Sequence, residues 1–232
     1  MSLNGTGVLA IWNGIAPAAE DDFLAWHVSE HMPERVALPG FNRGRRYVAL
    51  DGAPKYFNFY EADSPAVFTS EIYRARLDDP TPWSRRVIAH FADTMRTVCR
   101  VAVSKGRGGG GFVDAIRLSV ADADAFVAAL AERAGALLAE PGIVGIHLLH
   151  GLAEASTGGS AEKALRDRPD ALADWVLLVE AADAAPLTRL RAGPLGDNAL
   201  TALGASGAVE RGIYRLQFSL DHAEAVQERT TP

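Results

Sequence analysis

Two histidines in one short segment are the residues best suited to chemistry. His27 and His31 are four residues apart, so they share one face of a predicted helix. Imidazole titrates near neutral pH, which suits proton transfer. Pro33 disfavours helical backbone at Met32, so His31 is expected near a helix C-terminus, where the helix dipole favours its protonated form. We therefore take His31 and His27 as candidate catalytic residues, with the adjacent Trp26 as a candidate substrate contact.

The same segment matches the zinc-protease signature HxxEH, with Glu30 as the residue that would activate water. Such a site needs a further acidic ligand and a helix that continues past the motif. Because Pro33 is expected to end the helix, the sequence predicts no bound zinc and no other metal site.

A structural role for both histidines remains open. When the two halves of the chain are aligned, His27 falls opposite Leu130 and His31 falls opposite Ala134. Together with Phe126, these two residues form the apolar stripe of their predicted helix. The histidines could therefore pack against a sheet in the same way.

The strand predicted around residues 43–50 carries a candidate anion contact. Strand alternation places Arg45 and Tyr47 on one face. An arginine that lines a pocket binds a carboxylate or a phenolate. A solvated row of salt-bridged arginines is the alternative.

The strand predicted at residues 55–61 is aromatic on both faces. Tyr56 and Tyr60 share a face that is expected to line a cavity with polar groups. Phe57 and Phe59 occupy the other face and are expected to contact the helices. Tyrosines that only fill a packed interface are the alternative.

The hydrophobic pattern around these residues predicts two βαββαβ halves, which are ferredoxin-like units. Predicted strands cover residues 8–15, 43–50, 55–61, 97–104, 112–120, 143–152, 175–181 and 213–220. Predicted helices cover residues 18–31, 64–92 with a break near 79–82, 122–139, and 186–203 with a break. The fold class is therefore α+β, with two tandem ferredoxin-like repeats packed sheet to sheet as an intrachain α+β barrel.

Four segments follow from this division. They are a repeat with the candidate site (5–105), a Gly-rich linker (106–111), a degenerate second repeat (112–221) and a tail (222–232). The linker matches GxGxxG, but a strand follows it, whereas a dinucleotide loop must open a helix.

Composition excludes several classes of function. The chain has 232 residues, of which 48% are hydrophobic and 22% charged, and a formal net charge of −6. The acidic excess lies in the second half, and nucleic acid is not expected as a partner. No apolar run approaches the roughly 20 residues of a membrane span, and the single cysteine allows no intrachain disulfide. A cytoplasmic location without membrane contact is the expectation.

The first half resembles EthD-like proteins, which belong to the dimeric α+β barrel superfamily. The motifs that carry the resemblance are Trp26-His27 with Glu30-His31-Met32-Pro33, Pro39-Gly40-Phe41 and Arg45-Arg46-Tyr47. The resemblance covers residues 5–105 and implies a site histidine at His31. It also implies a small aromatic or polyketide-like ligand, handled by an oxygenase, cyclase or decarboxylase, in most cases without a cofactor. Some members of the superfamily bind haem.

Three functions therefore stay open. The first is a cofactor-independent enzyme acting on a small aromatic acid or phenol, with His31 as general acid–base and with Arg45 and Tyr60 orienting the substrate. The second is a non-catalytic small-ligand-binding or interaction protein, and the third is a haem or metal protein that uses His27 or His31. We expect one site per chain, in the first half, beside a cavity between the two sheets. Association of chains into a homodimer is left open.

Overall fold

Eight antiparallel strands close into one barrel in the part of the chain that the structure describes. The structure is a computed structural model that describes residues 3–166 and 168–230, with side chains as far as residue 227. The strands are β1 (Gly7–Ile15), β2 (Phe41–Asp51), β3 (Tyr56–Ala62), β4 (Phe91–Gly106), β5 (Phe112–Val120), β6 (Ile143–Gly151), β7 (Trp175–Ala181) and β8 (Ala205–Asp221).

The order of strands around the barrel is β1-β3-β2-β8-β5-β7-β6-β4. The strands before the Gly-rich segment therefore lie side by side, as do those after it. Two antiparallel seams, β2 with β8 and β4 with β6, join the two groups. The predicted α+β barrel is confirmed, although hydrogen-bonded seams close it into a continuous sheet. β4 and β8 are longer than predicted because each pairs with a strand of its own group and with one across a seam.

Aromatic side chains fill the interior of the barrel. Trp12 and Phe57 stack with ring centroids 4.6 Å apart, and Phe59, Tyr47 and Tyr214 belong to the same buried cluster. The expectation that Phe57 and Phe59 contact the helices is therefore wrong. Every residue of β3 is buried, so alternation fixes which residues share a face but not which face points inward.

Helices cover the outside of both groups of strands. Those of the first half are α1 (Glu20–Trp26), α2 (Met32–Val36), α3 (Glu71–Asp78) and α4 (Pro82–Ile88). Those of the second half are α5 (Ala123–Leu138), α6 (Ala153–Ser156), α7 (Ala184–Ala192), α8 (Asp197–Ala202) and α9 (His222–Thr230). None of these helices has the length and apolar character that a membrane span requires.

Local signals explain the predicted break between α3 and α4. Ser70 caps α3 by accepting the Tyr73 N–H, and Thr81 caps α4 by accepting the Ser84 N–H. Pro82 occupies the first turn of α4, where a missing N–H costs nothing. The segment expected to be a tail instead forms α9 from residue 222.

The first helix does not stop at Pro33, which corrects the sequence prediction. A π-helical turn, His27–His31, follows α1, and the chain continues directly into α2. The Met32 N–H donates to the His27 carbonyl, five residues back. Proline cannot donate the next hydrogen bond of a regular helix, and the wider turn lies where that bond would be lost.

Candidate functional site

The two candidate histidines line a cavity on the outer face of the first-half strands. Its floor comes from Leu9, Ile11, Asn58, Tyr60 and Arg96, and its wall from Trp26, His27, His31 and Arg35. The floor residues of β1 and β3 alternate with residues of the barrel interior, so they point outward toward the helices. The expected cavity between two sheets is therefore wrong, because aromatic packing fills that space.

The cavity encloses about 620 Å³ of space, including its mouth. Tyr73 and Leu77 from α3 cover it. Residues 160–166 of the second half, here called the covering segment, also cover it through Glu162, Lys163 and Arg166. A cavity of this size can hold a small molecule.

The imidazoles of His27 and His31 lie side by side with ring centroids 5.6 Å apart. Nε2 of His27 lies 3.4 Å from the Tyr60 hydroxyl, and the His31 ring packs on Trp26 with centroids 4.3 Å apart. Nδ1 of each histidine is buried and has no hydrogen-bond partner in the described chain. The turn thus presents two imidazoles with unused hydrogen-bonding capacity.

Both imidazoles are neutral at pH 7. Burial lowers the pKa of His27 well below the usual value of about 6.5, and the nearby Arg46 lowers it further. Burial also lowers the pKa of His31, with repulsion from Arg35 next in importance. The expectation that a helix dipole keeps His31 protonated is therefore wrong, since the helix continues and desolvation dominates.

Glu30 is engaged with α4 and not with the histidines. Its Oε1 accepts hydrogen bonds from Trp26 Nε1 at 3.1 Å, Thr81 Oγ1 at 2.5 Å and Ser84 Oγ at 3.2 Å. Across the described residues, no three His, Cys, Asp or Glu side chains form a group that could hold a metal ion. In this structure, the glutamate of the HxxEH pattern connects the first helix to α4. The argument that Pro33 ends the helix does not hold, because the helix continues into α2.

Cationic side chains surround the histidines. Arg35 is buried and its Nη2 donates to Glu162 at 2.6 Å, while its Nη1 has no partner. Arg96 donates to the Tyr73 hydroxyl at 3.1 Å. The other cations that line the cavity are Lys163 and Arg166.

Sequence reasoning missed this cationic group. Arg35 continues the four-residue spacing of His27 and His31, and that spacing was a usable signal. Arg96 lies on β4, and Glu162, Lys163 and Arg166 lie on the covering segment. No local pattern connects these elements, so only folding brings their side chains to the cavity.

Three predicted substrate contacts lie elsewhere. Arg45 is inside the barrel, where it is 2.9 Å from Glu61 and 3.1 Å from Glu180. Tyr47 packs in the same interior. Tyr56 packs on Phe23 and its hydroxyl donates to Glu20. Of the predicted residues, the structure brings Trp26, His27, His31 and Tyr60 together at the cavity.

The matching place in the second half is filled with apolar side chains. Phe126, Leu130 and Ala134 of α5 are fully buried in a hydrophobic cluster. The second half instead contributes to the first-half cavity through the covering segment, which no sequence pattern predicted.

Comparison with known proteins gives the fold. No protein family and no curated protein matches the chain. An anthrone oxidase-like protein is 15% identical, with 94% of each chain covered and a TM-score of 0.64. A protein of Lactobacillus acidophilus provisionally named a monooxygenase is 13% identical over 94% of this chain and 97% of its own, with a TM-score of 0.58. A protein provisionally named a chlorite dismutase is 11% identical over 97% of this chain and 99% of its own, with a TM-score of 0.57.

The chain shares its fold, an eight-stranded antiparallel barrel with helices outside, with these proteins. At these identities the likeness extends to the fold, and function must be argued from the site itself.

Proposed function

We propose that the protein is a cofactor-independent enzyme that binds a small aromatic or polyketide-like acid or phenol and removes a proton from it. The observation that carries this proposal is the neutral imidazole of His31 in a cavity surrounded by cations. A neutral imidazole can accept a proton, and the neighbouring cations stabilise the anion that remains. His31 is the proposed base.

The neighbouring residues have distinct proposed roles. Trp26 supports the His31 ring through a tilted ring-to-ring contact, and Tyr60 orients His27 through its hydroxyl. His27 is the second proposed acid–base group, because its unpartnered Nδ1 can exchange protons with a ligand group or with water. Trp26 and Tyr60 also line the cavity, where they would contact an aromatic ligand.

We further propose that the chain is an EthD-like tandem duplication, with repeats at residues 5–105 and 112–221 joined by the linker 106–111. Support comes from the strand order, which is β4-β1-β3-β2 in one half and β8-β5-β7-β6 in the other. Each half thus orders its strands as fourth, first, third and second. A cytoplasmic location and homodimer formation stay predictions from the sequence.

The name of the anthrone oxidase-like neighbour suggests a probe for this proposal. Anthrone carries weakly acidic C–H protons beside aromatic rings, and their replacement by deuterium in D₂O reports proton removal without an oxidant. Under anaerobic conditions, we expect the wild-type protein to accelerate this exchange. His31→Gln should lose about a hundredfold or more of the acceleration. His90→Gln, at an exposed histidine, is the matched control and should keep it.

The outcomes separate the functions that the sequence left open. Binding of phenols or aromatic acids without proton exchange would support a non-catalytic ligand-binding protein. Exchange that persists in His31→Gln would contradict the proposed base. A haem absorbance band in the visible spectrum of the purified protein would support the third function, a haem protein that uses His27 or His31.

A further inference from the structure

Arg96 is a buried cation without a carboxylate partner. Its side chain lines the cavity, and the residue is 6% exposed. Its guanidinium donates to the Tyr73 hydroxyl, which is a neutral group. Among the described residues, no carboxylate oxygen lies within 4.0 Å of its nitrogens, since no ion pair involves it.

Lys163 is a second cation at the same cavity, and it is partly buried. Its Nζ donates to the carbonyl oxygens of Ser156 at 2.5 Å and Gly158 at 2.7 Å, and it forms no ion pair with a described carboxylate. Burial, together with repulsion from Arg96, lowers the pKa of Lys163 to about 8. The two cations are therefore close enough to repel each other.

Arg35 is a third cation at the cavity, and one of its nitrogens makes no hydrogen bond. Its Nη2 is paired with Glu162, but Nη1 is buried and unpartnered. Arg166, by contrast, is paired with Asp170 at 2.7 Å. Among the described side chains around the cavity, positive charge remains in excess after these pairs form.

Arg45 in the barrel interior is a buried arginine whose charge is compensated by carboxylates. Arg45 is as buried as Arg96, yet Glu61 and Glu180 lie on either side of it. A buried cation without such compensation is costly. Arg96 carries that cost at a cavity, where a bound anion would offset it.

We propose that Arg96, Lys163 and Nη1 of Arg35 bind the carboxylate of a small aromatic acid. The proposal rests on the proposed function in placing the ligand at this cavity, and it narrows the ligand class from acids or phenols to carboxylic acids. Arg96 belongs to β4 and Lys163 to the covering segment. A carboxylate bound between them would connect β4 to the covering segment. The second half of the chain would then take part in binding the ligand.

Matched acids and amides test this proposal by equilibrium titration at pH 7. The probes are benzoate with benzamide and 1-naphthoate with 1-naphthamide, which differ mainly in charge. We expect the wild-type protein to bind at least one acid about tenfold or more tightly than its amide. Equal affinity within both pairs overturns the proposal.

Variants assign the preference to its residues. Arg96→Gln should remove the preference for the acid, Arg96→Lys should keep part of it, and Arg86→Gln at an exposed ion pair should leave it unchanged. If Arg96→Gln does not fold, the preference of Lys163→Gln for acids over amides tests the proposal. This variant should fold, because Lys163 is only partly buried. Retention of the full preference in a folded Lys163→Gln and in any folded Arg96→Gln overturns the proposal.

One further variant distinguishes this proposal from the proposed function. His31→Gln should lose proton exchange while keeping the preference for acids over amides. A protein that prefers acids but exchanges no protons supports the carboxylate site and refutes the enzyme. A protein that exchanges protons but binds acids and amides equally well refutes the carboxylate site and does not refute the enzyme.

Discussion

The hydroxyl of Tyr60 lies 3.4 Å from Nε2 of His27, across the boundary between β3 and the π-helical turn. This contact ties the turn to the most buried strand of the first half. The neighbouring His31 is held differently, by its packing on Trp26. The sheet thus orients one imidazole, and a ring on the same helical segment supports the other.

Removal of this hydroxyl should weaken the fold and the site together. Tyr60→Phe leaves both nitrogens of His27 without a partner, so we expect the free energy of unfolding to fall by about 1–2 kcal/mol. Urea denaturation measures the loss. Tyr56→Phe is the matched control, because its hydroxyl binds Glu20 outside the cavity. It should lower stability without changing ligand affinity, and an equal effect of both variants on affinity would contradict this assignment.

Buried neutral histidines should make the protein less stable in mild acid. Burial lowers the pKa of His27 and His31 well below 6.5 and that of His147 to about 4. As the pH falls below about 6.5, the unfolded chain takes up protons at these sites and the folded chain does not. The free energy of unfolding therefore falls, by up to about 1.4 kcal/mol per pH unit for each histidine.

Denaturation at several pH values between 7 and 5 checks this dependence. His31→Gln should show a shallower dependence than the wild type, whereas the exposed-site variant His90→Gln should match the wild type. A steeper dependence in His31→Gln would show that His31 is protonated in the folded state.

Carboxylate binding should weaken in alkaline solution. The pKa of Lys163 is lowered to about 8, chiefly by burial, so its charge is lost as the pH rises from 7 to 9. We expect the affinity for an aromatic carboxylate to fall over this range and that for the matched amide to stay constant. Lys163→Arg should remove the pH dependence, because a guanidinium stays charged. Titrations at pH 7, 8 and 9 provide the measurement.

Arg45 should affect stability and not ligand recognition. Arg45→Met removes the cation between Glu61 and Glu180, and loss of one partner from a buried ion pair costs about 3–5 kcal/mol. Arg86→Met, at an exposed pair with Asp22, should cost no more than about 1 kcal/mol. Urea denaturation and ligand titration of both variants give the comparison. A small loss of stability with a large loss of affinity would place Arg45 at the ligand after all.

Local sequence signals were sufficient for most of the secondary structure. The predicted strand Trp175–Ala181 has the same bounds as β7, because an apolar run with turn residues around it is a local pattern. The break near residues 79–82 was also predictable from proline and capping residues. Helical spacing likewise placed His27 and His31 on one face, and strand alternation paired Tyr60 with Tyr56.

Pro33 marks the limit of such rules. A proline favours a helix end, yet here a π-helical turn and α2 continue the helix, and packing of Met32 and Val36 in the core stabilises that continuation. The same packing keeps His31 neutral, because burial lowers its pKa more than a helix end could raise it.

The sequence by itself determined the periodicity of each element and therefore which side chains share a face. Tertiary structure decided which face of β3 looks into the barrel, since both faces are buried and alternation is symmetric between them. It also placed Arg45 in the barrel interior, away from the cavity, and brought Arg96 and Lys163 to the cavity wall. Those placements depend on barrel closure and on a segment that crosses between the halves. Contacts between residues far apart in the sequence are set by packing and by the compensation of buried charge. No short stretch of sequence encodes either of them.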